Sequence, residues 1–108
     1  MSDEELVIPL PVLSEVDYFI NQRAHPQVRI DFLENIIEGA YRVEGLLAGD
    51  FDRIWDLCNR YQDAGIGFVD AAVFAIVERL QETKLATLDR RHFSILRPRH
   101  VDSLTLLP

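Results

Sequence analysis

Residues 65–93 read GIGFVDAAVFAIVERLQETKLATLDRRHF, and this stretch decides the fold. Its apolar residues recur at the spacing of one helical face, which predicts a helix from Val69 to Leu80. The apolar positions are Val69, Val73, Ile76, Val77 and Leu80. Residues 84–88, KLATL, are too short for another helix and predict a buried strand. Asp70 therefore lies in the first turn of a helix, and Asp89 directly follows a strand.

These two aspartates are candidate metal ligands. In open α/β sheets, ligands bind outside the carboxyl ends of the strands, where Asp89 is expected. Asp70 suits the positive end of the helix dipole, and two carboxylates at one edge suit a hard divalent cation. Each residue also has a structural interpretation, since an aspartate at a helix start is often a cap and one after a strand is often a turn residue. Neither acid alone makes a site.

A third acid, Glu15, lies in a predicted helix near the start of the chain. Residues 6–8 predict a short strand, and Pro11 can open the helix that follows. The apolar face of that helix consists of Val12, Leu13, Val16, Phe19 and Ile20. At about 100° per residue, Glu15 lies about 40° from Phe19 and about 60° from Val12, at the edge of the apolar stripe. We therefore expect a half-buried carboxylate, which needs a metal ion or a basic side chain as its partner.

The remaining segments alternate in the same way. A second helix is expected from Pro26 to about Gly39, a strand over 41–46, a helix over 50–64 and a last strand over 104–107. Asp50 is expected to cap the third helix, and Trp55 is expected to pack beside its apolar stripe. Strands that alternate with helices predict one α/β domain over residues 1–108, with a three-layer parallel sheet flanked by helices.

Composition narrows the class of protein. The 108 residues are 48% apolar and 27% charged, which is typical of one globular domain. Because no run of 18 apolar residues occurs, no membrane span is expected. The lone cysteine, Cys58, cannot form an internal disulfide, and its place on an apolar helix face indicates a core thiol in a reducing cytoplasm.

Charge is unevenly distributed along the chain. The net charge of −7 argues against broad coating of nucleic acid. Residues 90–100, RRHFSILRPRH, nevertheless contain four arginines and two histidines without an acid. A phosphate backbone could be drawn to this stretch, although a solvated basic surface or a contact between subunits explains it equally well.

Three motifs, with an apolar helix between two of them, together resemble a known family. Val69-Asp70-Ala71, the apolar helix and residues 87–93, TLDRRHF, resemble the C-terminal half of a PIN domain, and most of all the VapC-type ribonuclease toxins. Residues 7–16, VIPLPVLSEV, resemble the second strand of that family and the helix that carries its glutamate. The resemblance covers nearly the whole chain.

The resemblance implies a Mg²⁺- or Mn²⁺-dependent endoribonuclease. Glu15, Asp70 and Asp89 would then be both the metal ligands and the catalytic residues. Thr87 would orient a site carboxylate through a hydrogen bond. Arg90 and His92 would contact RNA phosphate.

The resemblance also implies partners. It implies a homodimer with an antitoxin partner that lays an apolar helix in a groove and places a basic side chain among the acids. The family pattern begins with a strand that ends in an aspartate, followed by a helix, and nothing in the chain matches them. We therefore expect an N-terminally truncated PIN-like domain that lacks the central first strand and the first acid. Such a chain would be a fragment, an inactive remnant, or a domain completed by another chain.

Two other functions remain open. The first is a catalytically inactive PIN-fold module that binds an antitoxin or RNA. The second is an unrelated small α/β adaptor in which all three acids are structural.

Overall fold

The computed structural model describes residues 6–82, 84–86, 96–100 and 105–107. The chain divides into two compact units, Met1–Gly45 and Leu46–Pro108. Each unit contains a two-stranded parallel sheet and two α-helices. Within the described residues, none of the helices has the length and hydropathy needed to cross a bilayer.

The first unit is a strand pair joined by two helices. In chain order its elements are β1 (Val7–Pro9), α1 (Leu10–Arg23), α2 (Pro26–Ile37) and β2 (Arg42–Glu44). β1 and β2 are parallel, with Ile8 opposite Val43. The two helices pack against each other as an αα-hairpin. Gly39 has a left-handed φ of 86°, which is favourable for glycine and ends α2 where the sequence predicts a stop.

The second unit is built around two packed helices. In chain order its elements are α3 (Asp50–Arg60), a 3₁₀ turn (Gln62–Ala64), α4 (Phe68–Arg79), β3 (Lys84–Ala86) and β4 (Thr105–Leu107). β3 and β4 are parallel, with Leu85 opposite Leu106. α3 packs against α4 and contributes the buried residues Ile54 and Leu57.

α4 is the core helix of the second unit. Its seven consecutive residues 71–77 are all buried, and Phe74 and Ile76 are fully enclosed. The sequence predicts one apolar stripe, whereas the structure buries the middle of the helix on every side. The reason lies in the residues between the stripe positions, which are alanines and a phenylalanine. A helix that is apolar all round is stable only inside a core.

The structure confirms α/β content with helices and parallel strand pairing. The three-layer arrangement, the single domain over residues 1–108 and the absence of a central first strand stay predictions. Two details of the third helix were wrong. It ends at Arg60, and residues 62–64 form a 3₁₀ turn instead of continuing it. Trp55 was expected to pack, yet 68% of its surface is exposed, because α3 turns Ile54 and Leu57 towards α4 instead.

Candidate functional site

Asp70 lies where the sequence predicts it, in the first turn of α4. Gly65 adopts a left-handed φ of 71°, and Gly67 is the extended residue that precedes the helix. These two glycines turn the chain into α4. Asp70 is half-buried. Because it is the acidic residue of the first turn of α4, it lies near the positive end of the helix dipole.

Glu15 lies on α1 and is exposed, so the expectation of a half-buried carboxylate was wrong. The predicted position of Glu15 depends on Phe19 facing the core. Phe19 is itself 51% exposed, and Ile20 is the buried residue of α1. The exposed carboxylate therefore carries no desolvation cost that would demand a partner.

The remaining predicted site residues, Thr87, Asp89, Arg90 and His92, lie outside the described residues. β3 ends at Ala86, three positions before Asp89. Among the described residues, no three His, Cys, Asp or Glu side chains are grouped closely enough to hold a metal ion. The metal site formed by Glu15, Asp70 and Asp89 accordingly stays a prediction.

An ion-pair network that was not predicted from the sequence joins α3 and α4. The Arg53 guanidinium donates to Glu78 Oε1 at 2.6 Å from Nε and to Oε2 at 2.9 Å from Nη2. Arg53 Nη1 also donates to Asp56 Oδ2 at 2.6 Å. Arg60 and Arg99 reach the same Asp56 carboxylate at 3.3 and 3.4 Å. The i+3 and i+4 spacing of Arg53, Asp56 and Arg60 was the available signal for part of this network.

The ion-pair network raises the pKa of Arg53 and lowers the pKa of Asp56. The hydrogen bond to Glu78 raises the pKa of the Arg53 guanidinium, and the attraction of Glu78 and Asp56 adds to it against the effect of burial. Burial acts to raise the pKa of the Asp56 carboxyl, but the charges of Arg60 and Arg53 and their hydrogen bonds outweigh it. The pKa of Asp56 therefore lies below its ordinary value of 3.8. Both groups are charged at neutral pH.

A second ion pair links the start of α3 to the end of α4. Asp50 is buried, accepts a hydrogen bond from the Leu47 main-chain N at 2.8 Å and pairs with Arg79 Nε at 3.0 Å. It was expected to be the cap of α3, but Gly49 holds the cap position and Asp50 is the first helical residue. These contacts make Asp50 a structural residue of the second unit.

The chain is similar to known proteins over most of its length, including the predicted site residues. The family model described as PIN domain matches residues 1–97, a range that includes Glu15, Asp70 and Asp89. Ribonuclease VapC26 of Mycobacterium tuberculosis is 32% identical over 107 residues. That alignment covers 99% of this chain and 79% of the relative.

Proposed function

Because the chain belongs to the PIN domain family, as its motifs predicted, we propose that it is a divalent-metal-dependent endoribonuclease toxin of the VapC type. The observation that carries the proposal is the extent of the match. The family model spans residues 1–97, and the ribonuclease VapC26 aligns with 99% of the chain. The similarity is therefore not confined to one short motif.

The proposed ligands of Mg²⁺ or Mn²⁺ are Glu15, Asp70 and Asp89. All three supply carboxylate oxygens, which are the donors that hard divalent cations prefer. Held by these residues, a divalent cation would supply an activated water as the nucleophile and would stabilise negative charge on the scissile phosphate. Asp70 is half-buried in the first turn of α4. Because the middle of α4 is buried, this helix is a rigid element that fixes the position of Asp70. Thr87 orients a site carboxylate by a hydrogen bond.

The proposed partners follow from the same family. Arg90 and His92 contact the RNA phosphate, and the chain acts in the cytoplasm as a homodimer controlled by an antitoxin. The antitoxin places an apolar helix on the toxin and a basic side chain among the carboxylates, which would compete with the metal for the same charges.

Cleavage of a structured RNA by the full chain tests the proposal. We expect cleavage with Mg²⁺, none with EDTA, and loss of cleavage in Asp70→Asn. The matched control is Asp63→Asn, which makes the same change at an exposed aspartate of the neighbouring 3₁₀ turn. Isothermal titration with Mn²⁺ gives a readout apart from activity, and Asp70→Asn should weaken binding while Asp63→Asn should not.

Each outcome has a distinct meaning. Cleavage that persists in EDTA would refute the metal-dependent mechanism. Unchanged Mn²⁺ affinity in Asp70→Asn would refute the assignment of Asp70. A chain that binds RNA or an antitoxin without cleaving RNA would instead be the inactive PIN-fold binding module.

A further inference from the structure

Three arginine side chains converge on Asp56 in the second unit. Arg53 Nη1 and Arg99 Nη2 contact its Oδ2 atom at 2.6 and 3.4 Å, and Arg60 Nη2 contacts its Oδ1 atom at 3.3 Å. The guanidinium groups of Arg60 and Arg99 are thus brought to the two oxygens of one carboxylate. Like charges are held close together here, which is unfavourable unless enough negative charge surrounds them.

The negative charge in the cluster does not balance the positive charge. Glu78 neutralises Arg53 through two hydrogen bonds, and both side chains are nearly enclosed, at 9% and 10% exposure. Asp56 is then left with Arg60 and Arg99, so one positive charge remains in excess. This excess is notable in a chain whose net charge is −7. An anion from solution or from a ligand would relieve it.

The main chain that carries the cluster is anchored at several points. Arg53 Nη2 donates to the Arg97 carbonyl oxygen at 3.1 Å, and the Arg97 N–H donates to the Tyr61 hydroxyl at 3.2 Å. The Arg99 N–H donates to Glu78 Oε2 at 2.7 Å. Because these bonds involve the backbone of residues 97 and 99, their long side chains project from a fixed base. Less conformational entropy is lost when such side chains bind a ligand.

The outer arginines are accessible. Arg60 and Arg99 are 62% and 65% exposed, and Arg97 is also exposed and adds a further positive charge. Arg60 is the last residue of α3, and Arg97 and Arg99 lie in the 96–100 segment. The accessible positive charges of the cluster therefore come from the C-terminal end of α3 and from this segment.

We propose that Arg60, Arg97 and Arg99 bind the phosphate backbone of the RNA substrate. The identity of the anion as RNA rests on the proposed function. Guanidinium groups match phosphate oxygens with two parallel hydrogen bonds, and exposed arginines on a fixed backbone can contact successive phosphates. Asp56 holds the arginines in place and weakens the attraction of the surface for phosphate at the same time.

The test is binding of a fluorescein-labelled single-stranded RNA, followed by anisotropy in EDTA, for the full chain and its variants. Each phosphate contact contributes a slope of about −0.7 in a plot of log affinity against log salt, which is about fivefold in affinity at about 0.1 M salt. The double variant Arg60→Gln/Arg99→Gln should therefore bind about 25-fold more weakly, with a slope shallower by about 1.4. Arg23→Gln, at an exposed arginine of α1, is the single-charge control and should change affinity less than about twofold.

Two further variants separate binding from structure. Arg60→Lys/Arg99→Lys keeps both charges and should retain most of the affinity and the wild-type slope. Asp56→Asn removes the carboxylate but keeps its shape, and should tighten RNA binding about two- to fivefold. A network with only a structural role would give no gain in that variant.

The inference is overturned if the double glutamine variant binds RNA like the wild type with an unchanged salt slope, or if the wild-type chain does not bind the probe. Adding Mg²⁺ to the same samples tests the proposed function separately. If the wild type cleaves RNA but the arginine variants bind it unchanged, the phosphate-binding role of the arginines is refuted and the nuclease function is supported. If binding depends on the arginines but no cleavage occurs, the phosphate-binding role is supported and the nuclease function is refuted.

Discussion

Arg53 and Glu78 form an enclosed ion pair between α3 and α4, and replacing the arginine tests how the second unit is held together. Arg53→Met keeps an unbranched apolar stem and removes the charge. Removal of one partner from a buried ion pair costs about 3–5 kcal/mol, because the other charge is left without compensation. Glu78 would still accept the hydrogen bond from the Arg99 N–H at 2.7 Å. We therefore expect the lower end, a loss of about 3 kcal/mol in the free energy of unfolding.

Urea titration followed by circular dichroism measures this loss directly. Thermal unfolding gives an independent value. The entropy of unfolding is about 2.1 cal/mol/K per residue, or about 0.23 kcal/mol/K for the whole chain, so a loss of about 3 kcal/mol lowers Tm by about 13 °C. The two measurements should agree if unfolding is two-state.

Arg29→Met is the matched control, because it makes the same change in a more exposed pair. Arg29 pairs with Asp17, and the two side chains are 34% and 57% exposed. We therefore expect Arg29→Met to lower the free energy of unfolding by less than about 1 kcal/mol. The double variant Arg53→Met/Glu78→Leu removes both charges and should recover much of the lost stability. A loss below about 1 kcal/mol in Arg53→Met, or a double variant that is less stable than either single variant, would refute the reasoning.

Three other changes have expected outcomes. Phe74→Ala leaves a cavity in the fully buried middle of α4 and should cost about 3–5 kcal/mol in urea titrations, and a cost near zero would mean that α4 is not the core helix. An alanine Cβ at position 39 would meet no atom within 4 Å, but the residue must adopt a φ of 86°. We therefore expect Gly39→Ala to lower the free energy of unfolding by about 1 kcal/mol in urea titrations, and an unchanged value would mean that the turn rearranges freely. The pKa of Asp56 is lowered in the folded state, so its contribution to stability is present above about pH 4 and disappears as pH falls through the lowered pKa. The stability difference between wild type and Asp56→Asn should therefore shrink in urea titrations below about pH 4, and a difference that grows there would contradict the sign of the shift.

Local sequence rules predicted the elements that depend on neighbouring residues. Gly39 ends α2, and Asp70 occupies the first turn of α4, because left-handed glycines and acidic first turns are properties of a few adjacent residues. The same rules failed for Glu15. A helical projection gives the angle between two side chains but not the sector that another element covers, and Phe19, the reference residue, is itself exposed.

The ion pairs show why part of a candidate site escapes such rules. Arg53, Asp56 and Arg60 have helical spacing, so their contacts on α3 could be inferred from sequence. Glu78 and Arg99 are 25 and 46 positions from Arg53, and their contacts depend on how α4 packs against α3 and where the chain returns after β3. The acids of the proposed metal site follow from local pattern and family resemblance. The proposed phosphate surface exists only because tertiary packing brings Arg99 to the carboxylate that Arg60 already contacts. A relative could therefore keep the three acids and still bind RNA differently if it lacks this packing.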